Sequence, residues 1–143
     1  MSGVGGYLLD TNIISETRKK RPFEGVVDFL AAADDEALFL SVLTLGELRK
    51  GVQAKRRIEP VIADELAAWV DGIEQLFADR ILPIDVAAAR LWGELSAARS
   101  VPVVDTLIAA TALTRGLTLV TRNVRDFQAA GASLIDPWDG PRG

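Results

Sequence analysis

Four acids offer the chemistry in this chain: Asp10, Glu47, Asp105 and Asp126. The sequence has no histidine and no cysteine. That excludes Ser-His-Asp and Cys-His catalysis, thiolate chemistry, zinc–thiolate sites and disulfides. What remains is carboxylates, hydroxyls, amides, Lys and Arg. Asp105 stands out within V-P-V-V-D-T-L-I-A-A-T-A-L, residues 101–113, among valines, leucine and isoleucine. An ionised carboxylate removed from water without a partner is strongly unfavourable. Such a residue is exposed, neutralised or bound.

Hard oxygen ligands without imidazole or thiolate select Mg²⁺ or Mn²⁺. One or two such ions suit phosphodiester hydrolysis. They lower the pKa of an attacking water and stabilise charge on the phosphate, so no nucleophilic side chain is required.

The acids need elements to hold them. Tyr7-Leu8-Leu9 reads as a short buried strand, followed at once by Asp10-Thr11-Asn12 as the start of a helix running to about Arg18. A second helix carries Val26, Val27, Phe29 and Leu30 and stops near Asp34-Asp35-Glu36. Leu38-Phe39-Leu40 is a second strand, and Val42 to about Arg57 a helix with Leu45, Leu48 and Val52 on one face. Pro60 fits the first turn of the next helix, which carries Ile62, Leu66, Trp69, Val70, Ile73 and Phe77. Ile81-Leu82-Pro83 is a strand, and Asp85 caps a helix running to about Arg99. Pro102 opens a helix that stops at Arg115-Gly116. Leu117 to Thr121 and Ser133 to Ile135 are the last strands, between a loose Gly-rich lead (Met1 to Gly6) and a Pro/Gly tail. Short strands alternating with helices predict an α/β fold, a three-layer α/β/α sandwich with a mainly parallel sheet. Residues 1–143 read as a single domain.

Ligands in such folds bind beyond the carboxyl ends of the strands. Asp10 follows the first strand directly, and Glu47 lies one to two turns into the helix after the second. Asn123 and Asp126 follow Leu119-Val120-Thr121, and Asp105 sits in the first turn of its helix. Each has an ordinary structural role open to it. Asp10 suits a helix N-cap, Glu47 an exposed pairing with Lys50, Asp105 a helix-dipole partner and Asp126 a turn. Together, four acids at one end of a sheet would repel one another unless a cation sat between them.

Composition, at 49% hydrophobic and 25% charged, is that of a folded chain. The N-terminus lacks the pattern of a signal peptide, and no apolar run approaches the roughly 18 residues of a membrane span. A cytoplasmic protein without a membrane partner is expected. The net charge of −4 gives no support for non-specific nucleic-acid binding, although local basic clusters matter more than the total.

The segments L-L-D-T-N-I-I-S-E, F-L-S-V-L-T-L-G-E-L-R-K-G, V-V-D-T-L-I-A-A-T-A-L, L-T-L-V-T-R-N-V-R-D-F and D-P-W, in this order, resemble a PIN-domain ribonuclease. The likeness is to the VapC/FitB-like toxins of type II toxin–antitoxin modules and spans nearly the whole chain. The resemblance implies a Mg²⁺- or Mn²⁺-dependent endoribonuclease cleaving RNA such as tRNA or mRNA. It also implies a homodimer, with dimers able to pair further, and a small VapB/FitA-like antitoxin whose C-terminal segment blocks the active site. Carried over by motif, Asp10 and Asp105 are direct metal ligands, and Glu47 binds or positions metal and water. The family's fourth acidic position falls on Asn123, an amide, with Asp126 three residues on. Either Asp126 supplies the missing charge or the second metal is held only with substrate. Thr11, Asn12 and Thr121 are expected to support the ligands or contact phosphate, and Arg122 lies nearest the site in sequence.

Positive charge for an RNA backbone is offered by Arg18, Lys19, Lys20 and Arg21, and by Arg49, Lys50, Lys55, Arg56 and Arg57, which would equally suit acidic groups of an antitoxin. Trp69, Trp92 and Phe77 fall on apolar helical stripes and suit core or dimer interface. Two other classes stay open. A phosphotransfer protein would place an Asp after its first strand, but a nucleophilic-Asp phosphatase wants a second Asp where Asn12 stands. A receiver-like module wants a lysine where the late strand gives Thr121-Arg122. A PIN fold that only binds, with weak or no activity, is the other alternative, kept open by Asn123.

Overall fold

The computed structural model describes residues 5–98 and 100–139. Five strands, β1 (Tyr7–Leu9), β2 (Leu38–Ser41), β3 (Ile81–Leu82), β4 (Thr118–Val120) and β5 (Leu134–Ile135), form one sheet in the order β3-β2-β1-β4-β5. Every pairing is parallel. The helices are α1 (Thr11–Thr17), α2 (Glu24–Ala32), α3 (Val42–Arg56), α4 (Pro60–Leu76), α5 (Val86–Ala97), α6 (Val103–Arg115) and α7 (Val124–Gln128).

Strand alternation divides the core in two. Leu9 and Val120 point to a cluster with Ile13, Val26, Leu48 and Val70, drawn from α1 to α4. Leu8 and Leu119 point the other way, to Ile108, Ala109, Ala112 and Phe127 of α6 and α7. A fully buried leucine contributes roughly 1.5–3 kcal/mol, so these few strand residues carry a large share of the sheet's anchoring. The result is the three-layer α/β/α sandwich, with an all-parallel sheet in the middle.

Several helix ends follow from local chemistry. The Asp10 carboxylate accepts Thr11 N–H, Ser41 Oγ accepts Leu43 N–H, and Asp85 Oδ1 accepts Ala88 N–H. Pro60 stands in the first turn of α4. Gly116 ends α6 at φ 66°, a left-handed conformation that glycine adopts without a Cβ clash.

The structure corrects the sequence reading at four places. The segment after Asn123, to which the sequence assigns no element and where a turn is the ordinary role open to Asp126, is helix α7, which buries Phe127. The lead is not loose at Gly6. Its carbonyl accepts Thr118 N–H, and a Cβ there would lie 2.6 Å from the Phe39 ring. Residues 1–4 and 140–143 lie outside the described residues. The helix expected to reach Arg99 ends at Ala97, and Arg99 itself lies outside the description. Finally, the apolar flank of Asp105 reads in the sequence as what holds its helix in the core, but Val103 and Val104 are exposed, and the buried residues of α6 begin at Thr106, with Ile108, Ala109 and Ala110.

Candidate active site

The strand order creates the site. From β1 the chain runs outward to β2 and β3, then returns to the opposite side of β1 with β4. The crevice between β1 and β4 is therefore the topological switch point, where open parallel sheets bind ligands. Leu9 is in register with Val120. The next residues of the two strands, Asp10 and Thr121, thus emerge side by side.

Asp10 is 5% exposed and its carboxylate is fully engaged. Oδ1 accepts Thr11 N–H at 2.8 Å. Oδ2 accepts the Thr121 hydroxyl at 2.8 Å and the Asn12 amide at 3.3 Å. Burial holds this carboxyl above its usual range. Hydrogen bonds from Thr121, Thr11 and Asn12 oppose that, and the charge of Glu47 adds to it. Thr121 is a hub: besides donating to Asp10, its oxygen accepts Asn12 Nδ2 at 3.3 Å and Asn123 N–H at 2.9 Å. Asn12 Oδ1 accepts Arg122 N–H at 3.2 Å, which ties α1 to the end of β4.

Glu47, exposed on α3, accepts the Thr11 hydroxyl at 2.5 Å, and that hydroxyl lies 3.3 Å from Thr44 Oγ1. Asp105 is half-buried in the first turn of α6. Its carboxyl is pushed up to about 6, by burial first and then by the negative charges of Asp10, Glu47 and Asp126. None of these four acids forms an ion pair with Lys or Arg among the described residues.

A cleft of about 370 Å³ is lined by Asp10, Thr11, Asn12, Ser15, Glu47, Asp105 and Asn123. Six of these residues were singled out in the sequence. Ser15 was not, although it follows Thr11 by one helical turn and so shares its face. Asp126 is not in the cleft. It is exposed, accepts Asn123 Nδ2 at 2.6 Å and lines a neighbouring cavity between α5, α6 and α7. It thus acts on Asp105 by charge and on Asn123 by hydrogen bond.

The cleft offers oxygen donors throughout, the preference of Mg²⁺ and Mn²⁺. Among the described residues no three acids are gathered closely enough to grip one ion together. This fits Mg²⁺, which keeps several waters and binds through one or two carboxylates.

Most of the expected RNA-binding cations are already engaged. Lys19 pairs with Glu16, Arg49 with Asp71 and Glu74, Lys55 with Glu59, and Arg56 with Asp64. Arg18 lies over the Trp69 ring at 5.6 Å. Phe77 is buried in the core and Trp69 packs against it. Trp92 is half-buried, and its Nε1 has no hydrogen-bond partner among the described residues. No helix of the described residues is long and apolar enough to cross a membrane.

Comparison with known proteins agrees with this geometry. The PIN domain family matches residues 7–132. The toxin FitB of Neisseria gonorrhoeae is 36% identical over 138 residues, covering 92% of this chain and 97% of FitB. VapC ribonuclease Y4jK of Sinorhizobium fredii is 36% identical over 141 residues, with 92% and 97% covered. Among solved structures, FitAcB from Neisseria gonorrhoeae superposes with a TM-score of 0.84 at 35% identity, over 92% of this chain and 98% of that one. The chain belongs to the PIN-domain family and, within it, to the VapC/FitB ribonuclease toxins.

Proposed function

We propose that this protein is a Mg²⁺- or Mn²⁺-dependent endoribonuclease toxin whose cleft is blocked by a small cognate antitoxin. One observation carries the reading: Asp105 is driven to about 6 by burial and the charges of Asp10, Glu47 and Asp126, with no Lys or Arg paired to any of them among the described residues. A divalent cation relieves that repulsion. Asp10 and Asp105 would hold it and Glu47 would position water near it; Asn123 offers an amide oxygen and Asp126 further charge behind it. When bound, the ion lowers the pKa of an attacking water and stabilises charge on the scissile phosphate.

The chain's own residues do the rest. Hydrogen bonds from Thr121 and Asn12 favour the ionised form of the Asp10 carboxylate against its burial and hold it in place at the cleft. Thr11 fixes the Glu47 carboxylate, and Arg122 stands ready for a neighbouring phosphate. The substrate is RNA, a tRNA or an mRNA; a relative from Shigella flexneri, 31% identical over 137 residues, is named a tRNA(fMet)-specific endonuclease. The antitoxin partner is supported by relatives solved as FitAB and as VapBC complexes. A homodimer, cytoplasmic location and any pairing of dimers are part of the same proposal.

The test is cleavage of a panel of tRNAs and mRNA fragments by purified protein, with Mn²⁺ or with EDTA. Cleavage that requires Mn²⁺, and that Asp10→Asn or Asp105→Asn abolishes without loss of fold, is expected. Absence of cleavage by the wild type, together with unaffected growth on expression, would instead leave a PIN fold that only binds.

A further inference from the structure

One exposed cation stands between two residues of the cleft's hydrogen-bond network, Thr121 and Asn123. Arg122 follows the hub residue Thr121 directly, and its backbone N–H is held by Asn12 Oδ1. Its guanidinium lies over the ring of Trp138, 5.0 Å from the centroid. Trp138 comes from the far end of the described chain and is itself stacked on Phe23, with centroids 6.2 Å apart and planes at 24°.

This C-terminal segment is locked in place. Asp136 Oδ1 accepts Trp138 N–H at 2.9 Å, and Pro137 is buried. The Pro137 carbonyl approaches α2 so closely that a Cβ on Gly25 would lie 2.1 Å from it, so only glycine fits there. Phe23 N–H donates to Glu16 Oε2 at 2.9 Å, and Glu16 is a buried carboxylate held below its usual range. Hydrogen bonds from Lys19 and Phe23 come first in that effect, and the charge of Arg122 contributes. The Trp138 ring thus lies against the guanidinium, the Glu16 charge attracts it, and Asn12 holds the backbone from which it extends.

We propose that Trp138, backed by Phe23, is a positioning residue that holds Arg122 against an RNA phosphate next to the scissile one. The proposal rests on the nuclease reading above and adds a residue distant in sequence from the cleft acids Asp10, Glu47 and Asp105. A guanidinium stacked on a ring loses less rotational freedom on meeting a phosphate than one on a free stem, and it presents its donors in a fixed fork. Trp138 itself touches no substrate in this scheme.

The experiment is steady-state cleavage of a short RNA oligonucleotide at saturating Mn²⁺, repeated over a range of salt. Trp138→Ala is expected to raise KM about two- to fivefold, the size of one lost cation–π contact, with kcat nearly unchanged. Trp138→Phe restores most of it. Arg122→Ala raises KM further and lowers the salt slope by about one phosphate contact. In the double variant Trp138→Ala adds nothing to Arg122→Ala, which a purely structural role would not predict. Phe23→Leu, which leaves Trp138 in place, moves KM in the same direction and covers the case in which Trp138→Ala fails to fold. Wild-type KM and salt slope in both Trp138→Ala and Phe23→Leu, or full additivity in the double variant, would overturn this role alone. A wild type that cleaves no RNA would overturn the nuclease reading and this role with it.

Discussion

Thr121 donates its hydroxyl proton to Asp10 across 2.8 Å at the adjoining ends of β1 and β4. Both residues are buried, and 111 positions of sequence separate them. The contact joins the strand that begins the fold to the one that returns beside it. It also opposes the effect of burial on the innermost acid, because a hydrogen bond to a carboxylate favours its ionised form.

Thr121→Val keeps the shape of the side chain and removes the hydroxyl. Asp10 and the Asn123 N–H then lose a buried partner, at a cost of about 1–3 kcal/mol in stability. The Asp10 carboxyl, already high, moves higher. The acidic limb of the pH–rate profile should therefore shift to higher pH, while Thr121→Ser retains the wild-type profile. Urea denaturation and pH-dependent cleavage check the two effects separately.

Asp105 makes the metal-free protein sensitive to pH. Its folded carboxyl stands at about 6 against a usual 3.8, so the folded state binds its proton more tightly than the unfolded state does. The stability contributed by this proton is full below about pH 4 and is lost as pH rises through about 6. Glu16 works in the opposite sense. Its lowered carboxyl gives stability that is present above its usual 4.5 and lost as pH falls below it. Glu16 is thus silent between pH 5 and 7, and because Asp10 is also raised, the Asp105 share is read from the difference between wild type and Asp105→Asn. In EDTA, Asp105→Asn should be more stable than wild type at pH 7, by on the order of 1 kcal/mol once solvent screening is allowed for, and the gap should close toward pH 5. Equal urea midpoints at pH 7 would contradict this. With Mn²⁺ present the order reverses, because the ion stabilises only the ionised wild-type site.

Asn123→Asp puts a carboxylate at the position where the sequence resemblance implies an acid. Without metal it replaces the 2.6 Å amide bond to Asp126 with two facing carboxylates, and the melting temperature should fall. With Mn²⁺ it should rise above that of the wild type, and the concentration of Mn²⁺ needed for half-maximal cleavage should drop. Thermal melting across a Mn²⁺ titration reads both signs in one series. A large gain in activity would show that the natural chain holds its second ion weakly.

The layered fold was legible in the sequence because its signals are local. Leu8-Leu9 and Leu119-Val120 are paired apolar residues facing opposite layers, Asp10 and Asp85 are caps, and Gly116 is a left-handed stop. The short apolar runs with helices between them left little choice but a parallel sheet. The helix α7 was not legible. Its five residues carry one core residue, Phe127, with Val124 three positions before it, and two apolar positions are too few to establish a period.

The sequence by itself determined which chemistry is open to this protein. Without histidine or cysteine, that chemistry is limited to carboxylates, hydroxyls, amides, Lys and Arg. Only the tertiary structure decided which of them share a cleft. The order β2-β1-β4 sets Asp10 beside Thr121, the packing of α3 on α1 brings Glu47 to Thr11, and the turn into α7 directs Asp126 to Asn123 and away from the cleft. The same holds for Trp138 and Arg122, which meet because the last segment folds back over α2. Caps and periodicity act over a few residues and leave their mark in the string. Contacts between strand ends and distant helices depend on how whole layers pack, and no short stretch of sequence records that.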